Sequence, residues 1–322
     1  MSSKKKRVLV IDALNLYLRS YIIAPYLSKD GIPIGGVIGT LKSLQKLVRD
    51  TQPDNVIFAW DGPNGSRKRK ILNKDYKAGR KPLRLNRAYD NLSEDEETQN
   101  KLWQQSRLME YLNIMPVIQV MLPEIEADDV ISHVVQMSHY KNWQKIIVSN
   151  DKDFMQLCDD ETLLMRPVKK EILNKNRIVE QTGIHPVNMA LARAVIGDSS
   201  DNLPGIRGVG FATVAKRLDF LSEEKTYTID EVMEHCEKSN TKLKFFSNVV
   251  EGREIIEHNY KMMQLYSPMM SIQAKQITEI SVKDFEYAFN KTELLKMMNE
   301  DGFLELNLND LAAGMNRIVK EN

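Results

Sequence analysis

Four short apolar, β-branched runs constrain the fold of this chain more than any other feature. They are VLVID (Val8–Asp12), NVIFAWD (Asn55–Asp61), MPVIQV (Met115–Val120) and KIIVSND (Lys145–Asp151). Between them lie segments whose apolar residues recur at helical spacing. Val37, Leu41, Leu44, Leu47 and Val48 do so in 37–50, and Leu102, Trp103, Leu108, Met109 and Leu112 in 99–113. Strands apolar throughout, flanked by helical patterns, suit a parallel sheet covered on both faces. The alternation predicts an α/β fold with a mainly parallel central sheet flanked by helices.

The ends of these runs are acidic. Asp12, Asp61 and Asp151 each close one, and Asp153 follows two residues after the last. After the third comes PEIEADDV, with Glu124, Glu126, Asp128 and Asp129 crowded just before the apolar run VISHVV. Asp198 and Asp201, in GDSSDN, are spaced to share one side of a helical turn. In open parallel sheets, ligands bind outside the carboxyl ends of the strands. A single Asp there is commonly a helix N-cap, and a helix dipole would favour Asp128 or Asp129 in that role. A cap uses one carboxylate, whereas nine candidates gather here: Asp12, Asp61, Glu126, Asp128, Asp129, Asp151, Asp153, Asp198 and Asp201. Like charges so close repel and need compensation. No His or Cys accompanies them, so all-oxygen ligation of Mg²⁺ or Mn²⁺ is the expectation. Mg²⁺ retains waters, and nine acids therefore imply two ions. Two metals roughly 3.5–4 Å apart form the clamp used in phosphodiester hydrolysis.

Composition removes several alternatives. Of the 322 residues, 42% are hydrophobic and 28% charged, as in an ordinary globular protein, and the net charge is +1. Affinity for nucleic acid must then come from local charge separation. Cys158 and Cys236 stand far apart, which argues against a disulfide framework or a thiolate zinc site and fits a reducing compartment. No apolar run approaches the ~20 residues of a membrane span. The start MSSKKKR lacks the apolar core of a signal peptide, so a cytoplasmic location is expected.

Charge separation is found at Arg67–Arg87, which holds ten Lys/Arg (Arg67, Lys68, Arg69, Lys70, Lys74, Lys77, Arg80, Lys81, Arg84, Arg87) against Asp75 alone. This block reads as an insertion from the sheet that neutralises phosphates, with Tyr76 offering a face for base stacking. The acidic patch SEDEE (Ser93–Glu97) reads as the start of the next helix. Further on, GIRGVGFATVAKRL looks like a tight hairpin and its second helix. Gly205, Gly208 and Gly210 would let backbone N–H groups face an anion, with Lys216 and Arg217 adding phosphate contacts.

AVIGDSSDNLPGIRGVG, VSNDKDFMQL, EADD and YKAGR together resemble the flap endonuclease/5′-nuclease family. The likeness runs from Val8 to about Leu221 and is nearest to phage 5′ nucleases of the ribonuclease H type and to the 5′→3′ exonuclease domain of bacterial DNA polymerase I. The absence of an attached polymerase favours the phage type, which would act in the host cytoplasm. The resemblance implies a PIN-like nuclease core over 1–185, including a helical arch at about 64–92, and a helix-hairpin-helix duplex-binding region over 186–265. It leaves a C-terminal helical region, 266–322, of which only HNYKMMQL (258–265) before it is recognisable. It implies one metal cluster from Asp12, Asp61, Glu126 and Asp128. A second would come from Asp128 or Asp129 with Asp151, Asp153 and Asp201, Asp198 lying nearby. Lys77 and Arg80 of YKAGR would steer and polarise the scissile phosphate, and a K⁺ ion would sit in the hairpin. Implied substrates are flaps, nicked or free 5′ ends and RNA primers in RNA–DNA hybrids, cleaved by a monomer. Implied partners are single-strand-binding protein, a sliding clamp or a replicative polymerase. Competing readings are a PIN-like single-strand ribonuclease, which would lack the glycine hairpin, and a non-catalytic junction-binding protein, which would have lost carboxylates. A small-molecule phosphatase would not need the basic block.

Overall fold

The computed structural model describes residues 5–79, 86, 92–239, 241, 243–303 and 305–322. Its strands are β1 (Arg7–Asp12), β2 (Asn55–Trp60), β3 (Ile118–Met121), β4 (Gln144–Val148), β5 (Thr162–Arg166) and β6 (Glu171–Leu173). Its helices are α1 (Ala13–Ile23), α2 (Gly35–Thr51), α3 (Arg67–Leu72), α4 (Glu94–Asn113), α5 (Ala127–Gln136), α6 (Lys175–Thr182) and α7 (Pro186–Ile196). They continue with α8 (Phe211–Arg217), α9 (Ile229–Glu237), α10 (Lys244–Glu251), α11 (Arg253–Met263), α12 (Ile272–Lys283), α13 (Lys291–Asp301) and α14 (Leu308–Glu321).

The strands form one sheet in the order β3-β2-β1-β4-β5-β6, parallel except for the last pair. Side chains alternate between its two faces. Val8, Val10, Ile57, Ala59, Val120 and Ile147 enter a core with α5 and α7, while Leu9, Ile11, Phe58, Trp60 and Val148 enter another with α1, α2 and α4. Both sets are buried, which is why the strands read as unbroken apolar runs. Each fully buried side chain of this size contributes about 1.5–3 kcal/mol.

The expected strands are present, with β3 starting later than its sequence run. Strands β5 and β6 were not anticipated: β5 alternates buried and half-buried positions, and β6 is three residues long. Helix α4 also differs from expectation in its buried face. Leu102 and Trp103 are exposed, while Asn100 and Gln104 are buried. Both amides donate to the Pro33 carbonyl, and Gln104 Oε1 accepts the Gly36 N–H at 2.7 Å. This face thus serves the first turn of α2 rather than an apolar neighbour. The acidic patch does open α4: Ser93 and Glu96 form a capping box, with Glu96 accepting the Ser93 N–H at 2.9 Å.

The C-terminal helices share a core with the N-terminal sheet. Leu294, Met298, Leu311, Met315 and Ile318 lie in the same cluster as Leu44 and Val48 of α2 and Ile11 of β1. Among the described residues, no helix is long and apolar enough to cross a membrane.

Candidate functional site

The sheet order places the site. From β1 the chain runs outward to β2 and β3 on one side, and to β4 and β5 on the other. The connections therefore diverge above the β1 end and open a crevice there. The register pairs Asp12 with Ala59 and Ile11 with Val148, so Asp12 lies at the switch between Asp61 and the Ser149–Asp151 turn. Asp128 comes from the first turn of α5, and Asp198 and Asp201 from the loop after α7. Asp12, Asp61, Asp128, Asp151, Asp153, Asp198 and Asp201 together line a cavity of about 200 Å3, with Arg69, Tyr76 and Lys77. The same cavity is faced by Leu14, Leu18, Met262, Met263 and Leu265, which brings HNYKMMQL of α11 into the site.

The cap reading fails for Asp128 and Asp129, which lie inside α5, and holds for Asp12, Asp61 and Asp198, the last accepting the Ser200 N–H at 2.7 Å. Asp12 Oδ1 accepts the Asn15 N–H at 3.1 Å and so caps α1, while its Oδ2 accepts from the Ser149 hydroxyl at 2.8 Å. Helix α5 is capped from another element: Asp61 Oδ1 accepts the Ala127 N–H at 2.9 Å.

The acids fall into two electrostatic groups. Burial, then the charges of Asp61 and Asp151, push Asp12 up to about 7 against its hydrogen bonds. Burial and then Asp151 and Asp12 hold Asp128 well above the carboxylate range. Asp153 also rises to about 7, through burial and Asp151, although Arg193 opposes the shift. In the other group, cations override burial. Glu126 is buried yet held low by Arg69 at 2.7 Å and Lys77 at 2.7 Å. Burial also opposes the lowering of Asp198, which Ser200 and Arg193 (2.8 Å) bring about.

Several expected roles change here. Asp129 is turned away from the cavity and buried, accepting two bonds from Arg69 (2.7 and 3.2 Å) and the Met269 N–H at 2.9 Å. Both of its oxygens accept bonds from the chain, so the structure pairs it with Arg69 and does not bring it to the cavity with the other acids. Arg69, expected on nucleic acid, is 4% exposed and holds Glu126, Asp129 and the Met262 carbonyl. Tyr76, expected to stack on bases, is also 4% exposed, packs on Leu203, Met262 and Met263, and donates to Glu126 at 3.3 Å. A buried ring has no face to offer a base. Arg67, Lys70 and Lys74 are exposed; Arg67 pairs with Glu124, and half-buried Lys68 donates to the Met269 carbonyl at 2.8 Å. Arg80 lies outside the described residues, as do Lys81, Arg84 and Arg87 and most of the arch beyond residue 79.

Lys77 adopts φ +57°, and its N–H donates to the Asp201 carbonyl at 3.2 Å. Asn202 Nδ2 reaches the carbonyls of Asp75 (2.8 Å) and Ala78 (2.6 Å). The base of the basic block is thereby fastened to the loop that carries Asp198 and Asp201. Sequence reading missed Asn15, Ser149, Asn150, Arg193 and Asn202. Arg193 was legible in principle: it lies one helical turn before Gly197, and its guanidinium joins Asp153 and Asp198.

The glycine hairpin joins α7 to α8. A Cβ on Gly205 would lie 1.8 Å from the Ile196 carbonyl oxygen, so only glycine permits this approach. Gly208 has φ +75°, whereas Gly210 is extended and a Cβ there meets nothing within 4 Å. The hairpin is held from behind by Asn259, which donates to the carbonyls of Ala194 (3.0 Å) and Pro204 (2.8 Å). Lys216 is exposed and Arg217 half-buried in the last turn of α8.

The donor set fits hard divalent cations. Seven carboxylates face the cavity, with Asp12 buried and Asp128 half-buried beside other carboxylates. Among the described residues, no three acid, His or Cys groups close on a single point. The acids line a space rather than form a cage.

A family model described as the 5′-3′ exonuclease, N-terminal resolvase-like domain, matches residues 7–183. A 5′-3′ exonuclease of Aquifex aeolicus is 27% identical over 297 residues, covering 91% of this chain and 93% of its own. DNA polymerase I of Bacillus subtilis is 28% identical over 309 residues, 94% of this chain, which spans 32% of the polymerase. Among solved structures, a bacteriophage T5 flap endonuclease in a pseudo-enzyme–product complex with DNA and metal ions superimposes with a TM-score of 0.62. That match has 15% identity and covers 96% of this chain and all of the other.

Proposed function

The chain belongs to the 5′-3′ exonuclease family, and on that premise we propose that it is a structure-specific 5′ nuclease that hydrolyses phosphodiesters in flaps, nicked or free 5′ ends and RNA primers. The observation that carries this reading is the single cavity where seven acids from five separate segments meet Lys77. Asp12, Asp61, Glu126 and Asp128 would hold one Mg²⁺ or Mn²⁺, and Asp151, Asp153, Asp198 and Asp201 a second. Bound there, such ions supply charge neutralisation at the phosphate and a more acidic water. The chain's own residues do the rest. Lys77 is a donor already desolvated beside the acids, suited to an oxygen of the scissile phosphate. Arg69, Tyr76 and Lys77 hold Glu126 buried behind the lining acids, so it would reach an ion only where Lys77 moves off it to the phosphate. Leu14, Leu18, Met262 and Met263 restrict water around the reacting group. The hairpin 205–210 and Lys216 would hold duplex backbone without reading bases. The exposed Arg67, Lys70 and Lys74 would guide the 5′ strand.

The test is a panel of 5′-labelled flap, nicked, gapped and RNA-primed duplexes, plus single-stranded RNA, with and without Mg²⁺. Mg²⁺-dependent short 5′ products from the duplex-containing substrates are expected. Cleavage confined to single-stranded RNA would favour the PIN-like ribonuclease. Binding of flaps without cleavage in Mg²⁺ would favour the junction-binding reading.

A further inference from the structure

Asn150 and Asn15 have no part in the chemistry above, yet they join the two sides of the switch point. Asn150 stands between Ser149, whose hydroxyl donates to Asp12, and Asp151. Its Nδ2 donates to Asn15 Oδ1 at 2.9 Å, and its backbone N–H reaches the same oxygen at 3.3 Å. Asn15 in turn gives its own N–H to Asp12. On the opposite side, Asn150 Oδ1 accepts the Val168 N–H at 2.9 Å, and its carbonyl accepts from Arg166 at 3.2 Å. Arg166 is 5% exposed and anchored to Glu171 at 3.0 Å. The turn that carries Asp151 has left the strand ladder, and these contacts fasten it to α1 on one side and to the β5–β6 hairpin on the other.

We propose that Asn150 is a positioning residue which, with Asn15 and Arg166, fixes Asp151 relative to Asp12 so that both serve the same ion pair. The inference rests on the metal-dependent nuclease reading. Two carboxylates facing one cavity repel and relax apart unless their backbones are held. A neutral amide can hold them without adding a charge, and Asn150 offers donors to α1 and an acceptor to the hairpin at once. Arg166 stiffens the arrangement from behind, being itself fixed by Glu171. Groups that orient metal ligands in this way typically govern metal affinity as strongly as they govern rate.

The experiment compares wild type with Asn150→Ala, Asn15→Ala and the double variant. It reads two quantities: the Mn²⁺ concentration that gives half of the Mn²⁺-induced rise in Tm, and kcat and KM on a 5′-labelled flap. Each single variant is expected to need at least about tenfold more Mn²⁺ and to lose at least about tenfold in kcat, with KM changed less than about twofold. The double variant should lose no more than the worse single one, because the clamp acts as a unit. A lowered metal-free Tm with an unchanged Mn²⁺ midpoint and kcat would mean a purely structural role and overturn the proposal. Losses that multiply in the double variant would overturn it too. Should Asn150→Ala fail to fold, Asn15→Ala carries the same test alone. A wild type that neither cleaves nor responds to Mn²⁺ would remove the nuclease reading itself, an outcome distinct from unresponsive variants of a working enzyme.

Discussion

Two neighbouring groups of acids are compensated in opposite ways. Beneath the base of the basic block, Glu126 and Asp129 are buried against Arg69, with Lys77 on Glu126, so each charge has a cation within hydrogen-bond distance. Across the cavity, Asp12 and Asp128 are pressed toward other carboxylates and climb in pKa. A buried carboxylate with no partner costs several kcal/mol. A chain that can place an arginine beside Asp129 could have placed one beside Asp12. The difference teaches that internal cations fix the scaffold, and that the open wall is left for a cation from solution.

The largest effect should follow from neutralising the open wall. Asp128→Asn is expected to lower cleavage by more than about a thousandfold while leaving flap binding and metal-free stability undiminished. Stability should even rise slightly, because one repelling charge is gone. Single-turnover cleavage, flap binding and thermal melts in chelator measure all three. Near-normal turnover would break the comparison at its strongest point.

Arg69→Met makes the reciprocal change. It strands buried Asp129 and leaves Glu126 with Lys77 as its cation, and should cost about 3–5 kcal/mol of stability, read from urea unfolding in chelator. Asp129→Asn should also destabilise, yet leave the Mn²⁺ midpoint of the Tm rise close to wild type. A large shift in that midpoint would return Asp129 to the metal ligands.

This contrast also marks how far the sequence was legible. Strand-end acids could be read because apolar runs, Asp12, Asp61 and Asp151 are local signals, and the sheet gathers them whatever the details. The start of α4 at the acidic patch was legible for the same reason. What could not be read was partnership at a distance. Within a run of ten basic residues, nothing local separates Arg69, which is buried, from Arg67, which is exposed. The difference arises only when α3 meets α5 and α11. Adjacent Asp128 and Asp129 diverge likewise: consecutive helix positions point about 100° apart, one to the cavity and one to Arg69. Strands β5 and β6 escaped because Lys169 and Lys170 between them, with Glu171 opening β6, mask a short pattern with charge.

The two groups should also answer pH with opposite signs. Asp12 and Asp153 rise from an ordinary 3.8 to about 7 on folding. Their protonation favours the folded chain, so this contribution is full below about 4 and is lost as pH rises through about 7. Glu126 and Asp198 are lowered, so their contribution is present above their ordinary values of 4.5 and 3.8 and is lost as pH falls below them. Metal-free protein should therefore lose stability between about pH 5 and pH 7.5, and saturating Mg²⁺ should flatten that decline. Thermal melts across this range, with chelator or with Mg²⁺, measure it. A metal-free Tm that climbs toward neutrality would show that the open wall is compensated after all.

The smallest effect, and the sharpest control, concerns Arg67. It lies two positions from Arg69 on α3, and residues so spaced do not share a helix face. Its side chain is 60% exposed, and its partner Glu124 is 39% exposed. Water already solvates both charges, so Arg67→Ala should cost less than about 1 kcal/mol of stability. Its expected effect lies elsewhere. An exposed arginine near Lys70 and Lys74 can neutralise a phosphate and release a counterion on binding. Arg67→Ala should thus weaken flap binding severalfold at low salt, with the deficit shrinking as salt rises, while kcat at saturating flap stays the same. Urea unfolding and flap titrations at two salt concentrations test both halves. A stability loss matching that of Arg69→Met would mean that exposure does not separate scaffold cations from substrate cations on this helix. A salt-independent binding deficit would mean that Arg67 shapes the block through Glu124 instead of meeting the phosphate itself.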